Sequence, residues 1–301
     1  MSNNYADNLS DAKALLNGGE ATLNRRKAMI ATLGVGYAAA VLPEMSHAAI
    51  STPGTGLLEG EISVNVNGFN VPVYRSMPKG SAPFPVVLVL SEIFGVHEHI
   101  ADITRRFARL GYMALAPELF VRQGDAQGYA VMADLMKEVI NKVPDAQVMQ
   151  DLDAVVAWAG ANGGDLNRLG VTGFCWGGRQ TWLYAAHQPK IKAGVAWYGR
   201  LIGEPSERTP KQPVDIAGSL NGPVLGLYGG DDRGIPQDTV ELMKQKLAEA
   251  KGNAAAKGSQ FIVYDGAPHA FHADYRPSYR EQAAKDGWAQ CLAWFKQNGV
   301  A

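Results

Sequence analysis

The chain has little from which to build a disulfide framework or a metal cluster. Its 301 residues hold two cysteines, Cys175 and Cys291, with no Cys-x-x-Cys pair and no histidine-rich cluster. Neither a stapled scaffold nor a zinc site is therefore expected, and no cofactor is called for. Charge of one sign is not in excess either: 28 Lys and Arg stand against 29 Asp and Glu, a formal net charge of −1. The basic residues are scattered rather than gathered into a stripe with interleaved aromatics, which argues against nucleic acid and for a small molecule as partner. Internal repeats are missing, as is any Pro/Ser-rich linker between residues 57 and 300. What is present is ordinary globular material, 47% hydrophobic and 19% charged, enough for one large core.

A membrane-spanning run is also lacking. The uncharged stretch from Ala28 to Leu42 is about fifteen residues, against the roughly twenty that a spanning helix needs. It follows Arg25-Arg26-Lys27 and precedes Pro43 and the small-residue sequence Ser46-His47-Ala48, the layout of an export signal. Paired arginines before a mildly hydrophobic, Gly/Ala-rich segment look like the twin-arginine type, which hands folded proteins to the bacterial twin-arginine export machinery. Residues 1–48 are thus expected to be a leader, cleaved after Ala48 with Ala49 the near alternative, and the mature chain is expected in the periplasm.

From Leu57 onward strand and helix signals alternate. "EISVNVNG" and "NVPVYRSM" alternate apolar and polar residues around Gly68 and read as an antiparallel pair at a sheet edge. "FPVVLVLSE" is a continuous apolar run suited to a strand covered on both faces. Helical periodicity follows in "HIADITRRFARLG", with Gly111 as its stop, and again between roughly Gly128 and Ala161. "YMALAPEL", "RLGVTGF", "IKAGVAWYG", "PVLGLYGG" and "SQFIVYDG" supply further buried strands. Such alternation implies right-handed crossovers and an α/β fold with a mostly parallel sheet, helices on both faces, in a single domain over residues 57–300. Cys291, in "AAKDGWAQCLAWFKQNG", falls on the apolar face of a terminal helix and reads as core.

Cys175 is different. In "GFCWGG" it stands between a strand ending at Thr172 and a helix starting near Trp176, on a turn with almost no connecting residues. Gly173 and Gly177 make the pattern Gly-x-Cys-x-Gly, a nucleophile elbow with a thiol in the serine position, at a helix N-terminus that favours a thiolate. A buried structural cysteine in a tight turn is the bland alternative, and the rest of the chain weighs against it. Asp231-Asp232 follows "PVLGLYGG", and His269 follows "FIVYDG", each in the loop after a strand. The order nucleophile, acid, histidine is that of the α/β-hydrolase fold.

With "GFCWGG", "GGDDRGIP", "GAPHAF" and the early "LSEIFGVHEHIADITRRFARLGYMALAPELFVRQG" in view, residues 57–300 resemble the dienelactone hydrolase family, cysteine-dependent α/β-hydrolases. The resemblance implies Cys175 as nucleophile, His269 as base, and Asp232, four residues before Pro236, as the acid. It also implies Glu92 of "EIFG" as the carboxylate that handles the cysteine's proton and the Ile93 N–H as an oxyanion donor. The Trp176 N–H is the natural second donor. On this basis the expected activity is hydrolysis of an ester or lactone through a thioester. One position departs from the family: where an arginine four residues after the histidine would hold a substrate carboxylate, this chain has Ala273. Arg122 and Arg276 are the candidate substitutes, and an uncharged ester or lactone is as compatible. A general carboxylesterase and a non-catalytic small-molecule-binding homologue are the alternatives; the latter would be expected to lack a triad member.

Overall fold

The computed structural model describes residues 50–301, so the leader expected over residues 1–48, with its Arg25-Arg26 pair and the Ala48 cleavage point, lies outside the described residues. β1 (Leu57–Val66) and β2 (Phe69–Pro78) pair antiparallel around Asn67-Gly68. Both turn residues have positive φ, 51° and 87°, which a tight hairpin of matching twist requires. Five more strands follow the apolar runs: β3 (Phe84–Leu90), β4 (Met113–Pro117), β5 (Gly164–Phe174), β6 (Ile191–Trp197) and β7 (Val224–Gly229), and β8 (Gln260–Tyr264) completes the sheet. The order is β1-β2-β4-β3-β5-β6-β7-β8. β2 meets β4 antiparallel, and every pairing from β4 to β8 is parallel.

The crossovers carry the helices. α1 (Glu98–Arg109) joins β3 to β4, and α2 (Met132–Glu138) and α3 (Asp145–Ala161) lie between β4 and β5. α4 (Trp176–His187) and the short α5 (Pro213–Ile216) flank β6 in sequence. α6 (Gln237–Glu249) and α7 (Ala254–Gly258) precede β8, and α8 (Glu281–Gln297) closes the chain. Strand geometry then divides the core in two, because successive side chains point to opposite faces. Val87 and Val89 of β3 pack with Ile100, Ile103 and Phe107 of α1 and with Trp294 and Phe295 of α8. Val86, Leu88 and Leu90 pack with Leu135 of α2 and with Val148, Leu152 and Val155 of α3. Cys291 is fully buried in the first of these cores, where burial pushes its thiol far up, as suits an inert core residue.

Two expectations need correction. β8 is not a buried strand: Phe261 to Tyr264 are only half-buried, because the strand ends the sheet and pairs with β7 alone. The folded unit also begins before Leu57. The Ile50 N–H donates to Asp274 Oδ2 at 3.2 Å, the Thr52 N–H donates to Asp102, and Arg109 donates to the Pro53 carbonyl. Polar and small residues in this stretch carry no periodic signal, so its docking rests on backbone donors that a hydrophobic pattern does not reveal.

Candidate active site

β5 ends at Phe174 and α4 begins at Trp176, which leaves Cys175 alone in the turn with φ 54° and ψ −112°. That conformation is strained for a non-glycine residue and persists only where the surroundings fix it. The fixing is visible. The Cys175 N–H donates to the Trp197 carbonyl at 3.0 Å, and the Gly177 N–H donates to the Ser91 carbonyl at 3.1 Å. A Cβ on Gly173 would stand 2.2 Å from the Gly177 carbonyl oxygen, and one on Gly177 would stand 2.4 Å from that of Leu90. The Gly-x-Cys-x-Gly spacing is therefore a packing requirement: turn, helix start and the end of β3 touch backbone to backbone. Cys175 itself is only partly buried. The same contact brings the segment after β3, with Glu92 and Ile93, alongside the elbow. Neither the Ile93 nor the Trp176 N–H has an acceptor among the described residues, so both are available to an oxygen in the site.

His269 and Asp232 come from the loops after β8 and β7. His269 Nδ1 lies 2.7 Å from Asp232 Oδ2, and Asp232 Oδ1 accepts from the N–H groups of Gly234 and Ile235 at 2.9 and 3.2 Å. Asp232 is buried, whereas its neighbour Asp231 is exposed and meets the Ala267 carbonyl through its backbone N–H alone. With Nδ1 taken, Nε2 is the ring nitrogen left to face Cys175, which acts on the same ring. Burial works against a charged imidazole here, but the interactions of the ring with Cys175 and Asp232 outweigh it and push the His269 pKa well above its ordinary 6.5.

Glu92 sits in a second cluster that the sequence reading did not anticipate. Its carboxylate is buried, accepts a hydrogen bond from the Tyr275 hydroxyl and lies 3.8 Å from His97 Nε2. Burial alone would push the carboxyl up. The Arg276 guanidinium, His97 and the Tyr275 hydroxyl together hold it well below the usual carboxylate range. Burial pushes the His97 imidazole down, so it faces Glu92 as a neutral ring. Arg276 is itself buried, with its guanidinium 5.0 Å from the Phe94 ring centroid and 5.5 Å from that of Tyr275. Ala273, at the position where the family would carry an arginine, is fully buried and brings no charge.

The two candidate substrate arginines thus part company. Arg276 stands beside Glu92, whereas Arg122 pairs with the buried Asp151 at 2.6 Å and stacks on Phe69, away from Cys175, His269 and Asp232. Tyr198 was also missed. It follows β6 with φ 38°, is fully buried, and sets its ring edge-on to His269 at 5.1 Å between centroids. The signal for these residues was weak: Tyr275 and Tyr198 look like any aromatic near a strand or loop, and only three-dimensional placement distinguishes them. Among the described residues no group of three or more His, Cys, Asp and Glu side chains is placed to hold a metal ion.

A mostly parallel sheet with a strand–cysteine–helix elbow, its acid and histidine arriving from the next strands' loops in that order, defines an α/β-hydrolase. More narrowly, the chain belongs to the dienelactone hydrolase family, whose model matches residues 71–299. It is 54% identical over 283 residues to a Methylorubrum extorquens protein, covering 94% of this chain and 96% of that one. An Escherichia coli K12 protein is 53% identical over 272 residues, 90% of this chain and 98% of the other. Both bear the name "Putative carboxymethylenebutenolidase". A Klebsiella pneumoniae crystal structure that bears the name "Putative Dienelactone Hydrolase" superposes with a TM-score of 0.77 at 57% identity, covering 80% of this chain and 99% of that one. By family the chain is a hydrolase.

Proposed function

We propose that the chain hydrolyses carboxylic ester or lactone bonds through a Cys175–His269–Asp232 triad and a thioester intermediate. The observation that carries this reading is the placement of His269 between Asp232, at 2.7 Å from Nδ1, and the sulfur at the strained elbow. His269 takes the thiol proton as the sulfur bonds to the carbonyl carbon and the carbonyl electron pair moves onto oxygen. The N–H groups of Ile93 and Trp176 receive that oxygen, each donor of this kind lowering the barrier by roughly 3 kcal/mol. On collapse the bond to the leaving oxygen breaks and His269 returns the proton to it. Water, activated by the same ring, then cleaves the thioester and frees the acid and the thiol.

Glu92 is assigned a supporting part, beside His269, in the proton traffic of Cys175, since the contact of β3 with the elbow brings the two segments side by side and its neighbours keep it ionised. Arg276, the buried cation beside it, is the candidate for a substrate carboxylate; the contacts of Arg122 favour a structural role. Residues 1–48 are proposed as a twin-arginine leader that places the mature enzyme in the periplasm, with support from the Arg25-Arg26 pair and the uncharged run after it.

The test is mass spectrometry of the protein quenched during turnover of an activated ester. An acyl adduct on the peptide carrying Cys175, lost together with turnover in Cys175→Ala, is the expected result. Unchanged turnover in Cys175→Ala defeats the reading.

A further inference from the structure

We propose that Tyr198 is a third hydrogen-bond donor to the oxygen anion formed when Cys175 adds to the substrate carbonyl. This rests on the reading of Cys175 as nucleophile. Among the described residues, positive φ outside glycine occurs at Asn67, in the hairpin turn, and at Cys175, Tyr198 and Ala270. The last three bracket the site: the nucleophile, the residue against the histidine ring, and the residue after the histidine. Strained backbone gathered in this way marks positions whose side chains are aimed rather than merely packed.

Tyr198 is held from both sides. Its N–H donates to the Leu227 carbonyl at 2.8 Å, and the preceding carbonyl, that of Trp197, accepts from the Cys175 N–H. Gly199 presses on the backbone of Gly178 and Arg179 in α4, and its carbonyl accepts from Tyr228. The phenol itself is fully buried, yet no described residue accepts a hydrogen bond from its hydroxyl. That sets it apart from Tyr184, Tyr228 and Tyr275, which all bond their hydroxyls to a carboxylate or a carbonyl. A buried donor without a partner is costly to keep, and such groups are rare enough in folded proteins to call for a reason.

Its surroundings supply one. The phenol interacts electrostatically with Glu92 and Cys175, the residues immediately before Ile93 and Trp176, whose free N–H groups are the other two donors. Burial keeps it protonated, so it can donate but not ionise. During attack the S–C bond forms, the thiol proton goes to His269, and the carbonyl electron pair becomes the anion that Ile93, Trp176 and Tyr198 share. The pair returns to carbon's bond with oxygen as the leaving group departs with the proton from His269, and the phenol is left unengaged again.

The experiment compares the full-length wild type with Tyr198→Phe on an activated ester, beside Cys175→Ala. Loss of a preorganised donor should lower kcat by roughly a hundredfold, with KM little changed. Affinity for a trifluoromethyl ketone, which the thiol converts to a hemithioketal anion, should fall by the same factor. Thermal stability should not fall, because the substitution removes a buried group that has no partner. A kcat within about twofold of wild type overturns the proposal. So does a fall in Tm with unchanged ketone affinity, which would make Tyr198 a packing residue. If instead Cys175→Ala retains turnover, the assignment of the nucleophile has failed, an outcome separate from the first two.

Discussion

Asp232 divides its two carboxylate oxygens between backbone and histidine: Oδ1 accepts from Gly234 and Ile235 while Oδ2 meets His269 Nδ1 at 2.7 Å. The first pair of bonds fixes the carboxylate in its turn, and the second fixes the ring. Asp231, one bond away, has an exposed side chain.

This pair allows a controlled substitution. A general electrostatic effect on His269 would respond similarly to the loss of either charge, whereas orientation depends on the bonded oxygen alone. Asp232→Asn should lower kcat/KM on an activated ester by a large factor, about ten-thousand-fold in the serine-protease example of the same substitution, through the wrong histidine tautomer. Asp231→Asn should change it little. Equal losses in the two variants would show that charge, not geometry, is what the pair supplies.

The Tyr275 hydroxyl, donating to Glu92, is one of the groups that keep this carboxylate ionised despite its burial. Tyr275→Phe removes the donor, so the Glu92 pKa should rise. Any step that needs ionised Glu92 should then fail at a higher pH than in wild type. The expected outcome is an acid limb of kcat/KM displaced upward in pH, read from rate profiles on one ester between pH 2 and 6. A profile identical to wild type would separate Glu92 from the reaction.

Much of this is legible in the amino-acid sequence. β3 and β7 are continuous apolar runs because both faces are covered, and period-two alternation in β1 and β2 marked the edge pair. The elbow was legible because two glycines flank a cysteine at a spacing that close backbone contact imposes. The second cluster was not. Tyr275 and Arg276 meet Glu92 and its near neighbour His97 only because the loop before α8 folds back over the end of β3, a meeting of residues up to 184 positions apart that no local pattern encodes. Arg122 misled for a related reason, since its buried partner Asp151 lies on α3 within an otherwise apolar face.

The proposed leader makes a prediction independent of the fold. The twin-arginine receptor reads paired arginines as an address, and lysine keeps the charge without the planar guanidinium. Replacing Arg25-Arg26 with two lysines should leave full-length precursor in the cytoplasm, measured by fractionation and immunoblot of a bacterial host. Undiminished mature protein in the periplasm would remove the twin-arginine reading.

Asp274 ties three parts of the chain together, and its titration gives a sign that can be checked. It accepts from the Ile50 N–H at 3.2 Å, lies 3.0 Å from His99 Nδ1 and pairs with Arg106 at 2.9 Å. Burial would raise its pKa, but His99 and Arg106 overcome this and lower it from the ordinary 3.8 to about 2. A carboxyl depressed on folding contributes stability that is fully present above its unfolded value and is lost as pH falls through the folded one. The window is therefore between pH 4 and 2, and the shift corresponds to about 2 kcal/mol. Urea unfolding of wild type and Asp274→Asn should show a clear gap at pH 6 that narrows steadily toward pH 2.5. Subtracting the variant at each pH removes the contribution of every other carboxylate, so a gap that stays constant with pH would mean that Asp274 acts through packing and not through its charge.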